Sequence, residues 1–350
     1  MREAAVIGYT QSMQRRYAGA ANESELIMPV VREVMQSVGV TQKDIDFTCS
    51  GSCDYLQGAA FAFVEGLNAV ATAPPIRESH VEMDAAWALF EALLKIWSGE
   101  AELCLIYGFS KSSPGELRSV LTLQLDPYYQ VPLWPDAVSL AALQARAMLD
   151  AGSLTERDMA EVVVRSRRAA LSNPKAQLAA ETSIEALLAE PRFVSPLRRH
   201  DCAPITDGAS ALLVAAADTA RRLCARPAWI RGIDHRMETG MLGARDLTRS
   251  PSTRYAAARA GVAGRPVDTA ELHAPFSHQE IILRRELGLS DNVAVNPSGG
   301  ALAGNVMMAA GLDRIGHVAT RIMRGEADCG VAHATSGPCL QQNLVAVLEA

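Results

Sequence analysis

Four ionisable side chains stand at the ends of predicted elements, where they could act on a bound substrate. Asp84 comes directly before a predicted helix, and His273 and His333 stand at predicted strand ends. His278 lies early in a further predicted helix. Imidazole and carboxylate groups are common general bases. Each also has a structural explanation, because an aspartate before a helix is a typical N-cap and a histidine in an apolar strand is often a core residue.

A glycine turn, Ser298-Gly299-Gly300, follows Asn296-Pro297. Successive backbone N–H groups in such a turn can stabilise a developing negative charge. The turn lacks the lysine of a nucleotide-triphosphate loop and the third glycine of a dinucleotide-binding loop. By itself the turn therefore indicates no nucleotide cofactor and no particular ligand.

The seven cysteines do not form a recognisable framework. Cys49 and Cys53 have neither Cys-x-x-Cys spacing nor a second pair, so we expect no metal site. The N-terminus, Met1–Gly8, runs directly into a strand-like segment without the pattern of a secretory signal. Reduced thiols and a cytoplasmic location are the expectation.

Composition narrows the class of protein. The 350 residues are 49% hydrophobic, 21% charged and 5% aromatic, and the net charge is −6. Such a chain can bury a large core, and its acidic balance gives no reason to expect nucleic acid or an anionic membrane as partner. The longest weakly charged stretch, 55–75, is predicted as a buried helix rather than a membrane span.

Helix and strand patterns alternate along the chain and repeat once. Within residues 81–110, a helix is predicted from an apolar stripe, and it is followed by Gly99-Glu100-Ala101 and a strand at 103–107. The same plan recurs as a helix from about Asn305 to Met323, Gly325-Glu326-Ala327 and a strand at 329–332. Alternation predicts a largely parallel sheet covered on both faces. The repeat indicates two related α/β halves, although two ordinary helix-to-strand turns could share this short pattern by coincidence.

A less regular segment, about 111–200, separates the two halves. Long insertions in α/β folds usually cover or shape a ligand site. Its arginines could meet phosphate groups or could simply form a solvated helical face. They lie at the positions Arg165, Arg167, Arg168, Arg198 and Arg199.

Four segments, in this order and spacing, resemble the thiolase superfamily. The similarity is to the branch of sterol-carrier-protein-x thiolases and bacterial lipid-transfer-protein-like thiolases. It spans essentially the whole chain and rests on agreement among independent segments. The segments are His200–Ala211 (HDCAPITDGASA), Glu271–Glu280 (ELHAPFSHQE), Val295–Asn305 (VNPSGGALAGN) and His333–Pro338 (HATSGP).

The resemblance implies a fold and a substrate class. The fold is a five-layered αβαβα sandwich of two βαβαβαββ halves, residues 1–222 and 223–350, with the loop domain inserted in the first half. The family binds coenzyme A thioesters where the halves meet, so coenzyme A is expected as part of the substrate rather than as a covalently bound cofactor.

The chain departs from the family at the position of the nucleophile. Ala85 stands where the family has its nucleophilic cysteine, and a methyl group cannot form an acyl-enzyme. Trp87 follows where the family usually has serine. Thiolysis through an acyl-enzyme at this position is therefore not expected.

The histidine positions of the family are partly retained. Asn305 replaces the histidine of the Gly-His-Pro segment and cannot serve as a base at neutral pH. His273 is retained, next to Ala274 instead of the family's aspartate. The family's second cysteine has no firm match, since His333 stands at roughly that loop and Cys339 lies six residues beyond.

A reaction without a covalent intermediate remains open to this set of residues. A base on the hydroxyl of a β-hydroxyacyl-CoA, with stabilisation of the enolate, gives retro-aldol cleavage. Cys-less relatives of the lipid-transfer branch are aldolases on steroid side chains that work with a partner carrying an OB fold and a zinc ribbon. The expected stabilising groups are His273, Asn305 and the Ser298–Gly300 turn, and the expected base is Asp84, His278 or His333.

Two other functions are consistent with the same residues. The chain could be a non-catalytic subunit that pairs with an active thiolase-like chain and the OB-fold zinc-ribbon protein. It could also be an ordinary acyl-CoA acyltransferase, which Ala85 and Asn305 disfavour chemically. A dimer formed through first-half strands is expected from the family, with an identical or a related chain.

Overall fold

Helices and strands alternate along the part of the chain that the computed structural model describes, residues 2–58, 60–70 and 76–350. The strands are β1 (Ala4–Gln11), β2 (Phe47–Gly51), β3 (Arg77–Val81), β4 (Leu103–Ser110), β5 (Arg192–Val194), β6 (Leu197–Arg198), β7 (Gly208–Ala216), β8 (Ala228–Met237), β9 (Thr269–Leu272), β10 (Ala294–Val295), β11 (Cys329–Ser336) and β12 (Gln342–Glu349). The helices are α1 (Glu23–Val38), α2 (Asp54–Gln57), α3 (Phe63–Val70), α4 (Ala85–Trp97), α5 (Leu117–Leu123), α6 (Ala137–Asp150), α7 (Glu156–Ala169), α8 (Ile184–Ala189), α9 (Ala217–Leu223), α10 (Pro251–Ala260), α11 (Ser277–Glu286) and α12 (Ala310–Met323).

Ten strands of the described residues form one sheet, and the strand order of one half mirrors that of the other about the centre. The order is β10-β9-β11-β12-β8-β1-β7-β4-β2-β3. Strand β2 in the first half and strand β9 in the second run parallel to both of their neighbours. The remaining pairs of strands are antiparallel. The halves join where β1 pairs with β8. The predicted pair of related halves is confirmed by this order, while the boundary at 222 and 223, near the end of α9, stays a prediction.

Two helices lie between the halves, as the five-layered sandwich requires. Side chains of α4 and α12 pack into one core with strands from both halves. Helix α1 covers the other face of the first-half strands. Helices α10 and α11 cover the other face of the second-half strands. The inner strands β4, β7, β11 and β12 are therefore buried on two sides, which explains their continuous apolar runs.

Helix α12 begins later than the sequence predicts, at Ala310 instead of about Asn305. Residues 307–309, directly before it, form a turn, and within this turn the Met308 carbonyl accepts a hydrogen bond from the Ala85 N–H at 2.9 Å. The first helical N–H groups, of Gly311 and Leu312, donate to Asp84. The helix start is thus fixed by a cap from a distant segment, which local sequence does not reveal.

The apolar stretch 55–75 also differs from the single buried helix that its composition predicts. It contains the end of α2, which stops at Gly58 with a left-handed φ of 72°, and then α3. Residues 59 and 71–75 of this stretch lie outside the described residues. Gly58 allows this stop because glycine adopts positive φ without strain.

The insertion predicted at about 111–200 contains helices α5 to α8 and the β5–β6 hairpin. It reaches the glycine turn directly. Ser166 donates to the carbonyl of Gly299, and the Asn173 amide donates to the carbonyl of Ser298 at 3.1 Å. The insertion therefore covers the turn for which the sequence predicts a binding role.

Candidate functional site

Ala85, where the resemblance implies a lost nucleophile, is closely packed at the start of α4. Ala85 is fully buried. Two residues that pack against it are glycines, and a larger side chain would not fit at either position. A Cβ atom on Gly51 would lie 2.4 Å from the Ala85 nitrogen, and one on Gly108 would lie 2.8 Å from the Ala85 Cβ. The site therefore retains a tight fit around Ala85 but holds no nucleophile there.

Asp84 caps two helices at once. Its Oδ1 accepts from Ala86 of α4 at 2.8 Å and from Leu312 of α12 at 3.1 Å, and its Oδ2 accepts from Gly311 at 2.7 Å. Burial raises the pKa of Asp84 to about 7, and the three N–H donors act in the opposite direction. The side chain therefore links the starts of the two central helices. Its role as a base stays a prediction.

His273 and Asn305 are brought together. The His273 Nε2 lies 3.1 Å from the Asn305 Oδ1, and the Thr335 N–H points at the His273 Nδ1 from 3.4 Å. Because Nδ1 accepts, the proton must be on Nε2, which donates to Asn305. Burial, with smaller contributions from Arg314 and His333, lowers the pKa of His273 to about 3. His273 is a neutral donor that fixes the orientation of the Asn305 amide.

Asn305 has a side-chain donor without a partner among the described residues. Its backbone N–H donates to the Thr206 hydroxyl at 3.0 Å. Its Oδ1 is taken by His273, and its Nδ2 makes no hydrogen bond within the described residues. Met308, three residues on, holds the Ala85 N–H. The amide nitrogen is therefore available to donate a hydrogen bond to a developing negative charge.

The glycine turn is tied into the protein by its own N–H groups. Ser298 N–H and hydroxyl donate to Glu271 at 2.9 and 2.8 Å. Gly299 N–H donates to the Asn296 carbonyl at 2.9 Å, and Gly300 N–H lies 3.4 Å from the Ser298 hydroxyl. In this arrangement all three amides are engaged internally. The oxyanion-binding role assigned to the turn stays a prediction.

A buried ion pair holds the turn in place. Arg314 of α12 donates to Glu271 of β9 at 3.1 Å, and both side chains are almost fully buried. Burial raises the pKa of Glu271, and Arg314 counteracts that effect. Glu271 opens one of the four segments that resemble the family, but nothing in the spacing shows its contact with Arg314 on a helix of the other layer.

The side chains of His333 and His278 are held by other partners. His333 lies on the strand face of Val331 and Val345, which pack in the core on the α10 and α11 side. Its Nε2 bonds the Asn343 Oδ1 at 2.9 Å, and burial lowers its pKa to about 4. The His278 Nε2 bonds the Gln144 Oε1 at 3.1 Å, and burial lowers the pKa of His278 to about 3. Neither side chain contacts the His273–Asn305 pair through a hydrogen bond between described residues.

Neither a metal-binding cluster nor a membrane-spanning helix occurs among the described residues. No group of three or more His, Cys, Asp or Glu side chains among them is arranged to hold a metal ion. No helix in the described ranges is long and apolar enough to cross a membrane.

Curated relatives of the chain include thiolases and a lyase. No family model matches the chain. The acetyl-CoA acetyltransferase of Methanothermobacter thermautotrophicus is 26% identical over 358 residues, which cover 93% of this chain and 92% of the relative. The 17-hydroxy-3-oxo-4-pregnene-20-carboxyl-CoA lyase of Mycobacterium tuberculosis is 26% identical over 318 residues, which cover 82% of this chain and 78% of the relative.

Solved structures share the fold over the whole length. The Ltp2-ChsH2(DUF35) aldolase has a TM-score of 0.82 at 19% identity and is matched over 99% of this chain and 98% of its own. Human mitochondrial 3-ketoacyl-CoA thiolase has a TM-score of 0.79 at 16% identity, over 100% and 99%. The chain is therefore similar in sequence and fold to proteins of the thiolase superfamily, among them members of its sterol-carrier and lipid-transfer branch.

Proposed function

We propose that the chain acts on acyl-CoA thioesters of bulky lipid or steroid type and cleaves a β-hydroxyacyl-CoA by a retro-aldol reaction. The observation that carries this proposal is the Asn305 amide, which is oriented by His273 and has no partner for its Nδ2 among the described residues. Ala85 stands where the resemblance implies a nucleophile. The relatives that act on CoA thioesters, one of them a lyase named for a hydroxylated steroid-CoA, support the substrate class.

The proposed reaction needs no acyl-enzyme. A base takes the proton of the β-hydroxyl, the bond between Cα and Cβ breaks, and Cβ becomes the carbonyl carbon of a ketone or aldehyde. The bonding electrons pass to the thioester as an enolate, whose oxygen accepts a hydrogen bond from Asn305 Nδ2. Protonation of the enolate at Cα then gives the shortened acyl-CoA.

Asp84 is the base we assign to this reaction. It directly precedes Ala85, and a carboxylate with a pKa near 7 suits proton transfer at neutral pH. Its Oδ2 accepts one N–H and retains a second lone pair. His333 and His278 remain the other two candidates, since each has an Nδ1 without a partner in the described part of the chain.

Product analysis by mass spectrometry tests the reaction directly. The purified protein is incubated with branched β-hydroxyacyl-CoA and β-ketoacyl-CoA thioesters, each with and without free coenzyme A. Cleavage of the β-hydroxy substrate without added coenzyme A supports the proposal, and Asn305→Ala should abolish it. Asn292→Ala, at an exposed asparagine, is the matched control that should retain it. Cleavage of only the β-keto substrate, with coenzyme A, would establish an acyltransferase instead.

A non-catalytic subunit is the second candidate function. The observation that favours it is the internal engagement of the Ser298–Gly300 amides, together with the occupied Asp84 carboxylate. Under this alternative, no thioester is cleaved by the chain alone, and His273→Ala changes neither assembly nor the activity of an associated chain.

The partners that we propose follow from the same comparisons. The structural neighbour, the Ltp2-ChsH2(DUF35) aldolase, is named for two components, one of them a DUF35 protein, which supports a heteromer with an OB-fold zinc-ribbon protein. A homodimer, or a dimer with a second thiolase-like chain, is the alternative, and β3 at the sheet edge offers a strand for pairing. Sedimentation of the purified chain, alone and with the DUF35 domain of ChsH2, distinguishes these assemblies.

A further inference from the structure

Asn296 holds the end of β9 against the glycine turn. Its Oδ1 accepts from the Leu272 N–H at 2.7 Å, one residue before His273, and its carbonyl accepts from Gly299. Its φ of 51° lies in the left-handed region, which asparagine tolerates better than most residues. Asn296 therefore fixes the backbone at the point where the chain enters His273.

The other end of the Asn296 side chain is held by a buried carboxylate. Asn296 Nδ2 donates to Glu280 Oε2 at 2.7 Å, and Glu280 lies on α11 with its side chain almost fully buried. The other carboxylate oxygen, Oε1, pairs with Arg165 of helix α7. Burial raises the pKa of Glu280, whereas Arg165, the Asn296 amide and Arg284 lower it.

Arg165 thereby connects the insertion to His273 through two intervening side chains. The guanidinium is partly exposed, at 38%, so it lies at the boundary between solvent and the buried carboxylate. The next residue, Ser166, donates to the carbonyl of Gly299, so α7 also contacts the turn directly. The order of contacts is Arg165, Glu280, Asn296 and the Leu272 N–H.

We propose that Arg165 is a positioning residue that sets the orientation of His273, and with it the Asn305 amide, from the insertion. Removing the guanidinium leaves the Glu280 carboxylate buried without its cation. A buried charge without its partner is costly, so Glu280 and Asn296 rearrange. The effect on catalysis rests on the function proposed above, whereas the effect on His273 geometry does not.

The test compares Arg165→Ala with Arg168→Ala, which removes a neighbouring arginine whose partner, Glu181, is exposed. Proton–nitrogen NMR of the histidine rings reports the His273 tautomer and its hydrogen bond without any turnover. We expect Arg165→Ala to shift the His273 ring signals and lower kcat about tenfold at similar KM, because small misplacements of catalytic groups cost rate. Arg168→Ala should leave both unchanged, and Arg165→Lys should restore most of each.

Repeating the Arg165→Ala substitution in a Glu280→Gln variant separates the proposed effect from general destabilisation of the fold. In Glu280→Gln the buried charge is absent, so adding Arg165→Ala should shift the His273 signals much less than it does in the natural sequence. Equal shifts in the two backgrounds, or His273 signals in Arg165→Ala identical to those in Arg168→Ala, would overturn the proposal. If His273 shifts as expected while the natural chain cleaves no thioester, the proposed function fails and the positioning role remains.

Discussion

The Nε2 atom of His273 lies 3.1 Å from the Oδ1 atom of Asn305, and this contact determines which end of the amide faces the site. The two residues come from segments on either side of the glycine turn and correspond to different family motifs. With Nδ1 facing the Thr335 N–H, the imidazole can only donate to Asn305. Asn305, which the resemblance places at a histidine position of the family, therefore offers a hydrogen-bond donor but no base.

The two members of this pair should contribute unequally to turnover. Asn305→Ala should lower kcat for retro-aldol cleavage by about 10²–10³, the usual cost of removing one oxyanion donor. His273→Ala should cost less, since the donor remains but loses its orientation. The double variant should resemble Asn305→Ala alone, because the residues act as one unit. Additive losses in steady-state kinetics would contradict that coupling.

Removing the shared cap of the central helices should destabilise the fold. Asp84→Ala takes acceptors from the first turns of both α4 and α12, so we expect a loss of about 1–4 kcal/mol in the free energy of unfolding. A carboxyl whose pKa is raised in the folded state stabilises less as pH rises between its unfolded and folded values. The loss, measured by urea denaturation, should therefore be larger at pH 5 than at pH 8.

A buried histidine should make stability depend on pH in the opposite sense. The pKa of His333 falls from 6.5 to about 4 on folding, so its contribution is complete above pH 6.5 and is lost as pH falls toward 4. Between pH 7 and pH 5 this amounts to about 2 kcal/mol. His333→Gln should reduce the pH dependence of unfolding by that amount. An unchanged dependence in the variant would show that the imidazole already titrates normally.

The close packing around Ala85 should be sensitive to one methyl group. A Cβ atom on Gly108 would lie 2.4 Å from the Met308 carbonyl oxygen and 2.8 Å from the Ala85 Cβ. Gly108→Ala should therefore cost about 1–3 kcal/mol, as overpacking of a core does. Gly115→Ala is the control, because no atom lies within 4 Å of the added carbon. Its thermal unfolding temperature should be almost unchanged.

Local sequence predicts some elements well and others poorly, for identifiable reasons. The strands around 103–110 and 329–336 follow from apolar runs after glycine turns, and the sheet contains both. The start of α12 is not predictable in the same way, because Asp84 caps it from a segment far away in the chain. The Glu271–Arg314 pair cannot be predicted from local sequence for the same reason.

Periodicity predicts an alternating α/β fold, and the resemblance of four segments to the thiolase superfamily implies the five-layered sandwich and a position without a nucleophile at Ala85. The apolar runs, the repeated helix–strand pattern and the presence of Ala85 and Asn305 can all be seen in the chain before it folds. Three further features depend on the folded arrangement: Asp84 joins two helices, His273 orients Asn305, and the Ser298–Gly300 amides are engaged. These features depend on which donors and acceptors meet across layers, and hydrogen bonds between distant segments form only once the core has brought them within about 3 Å.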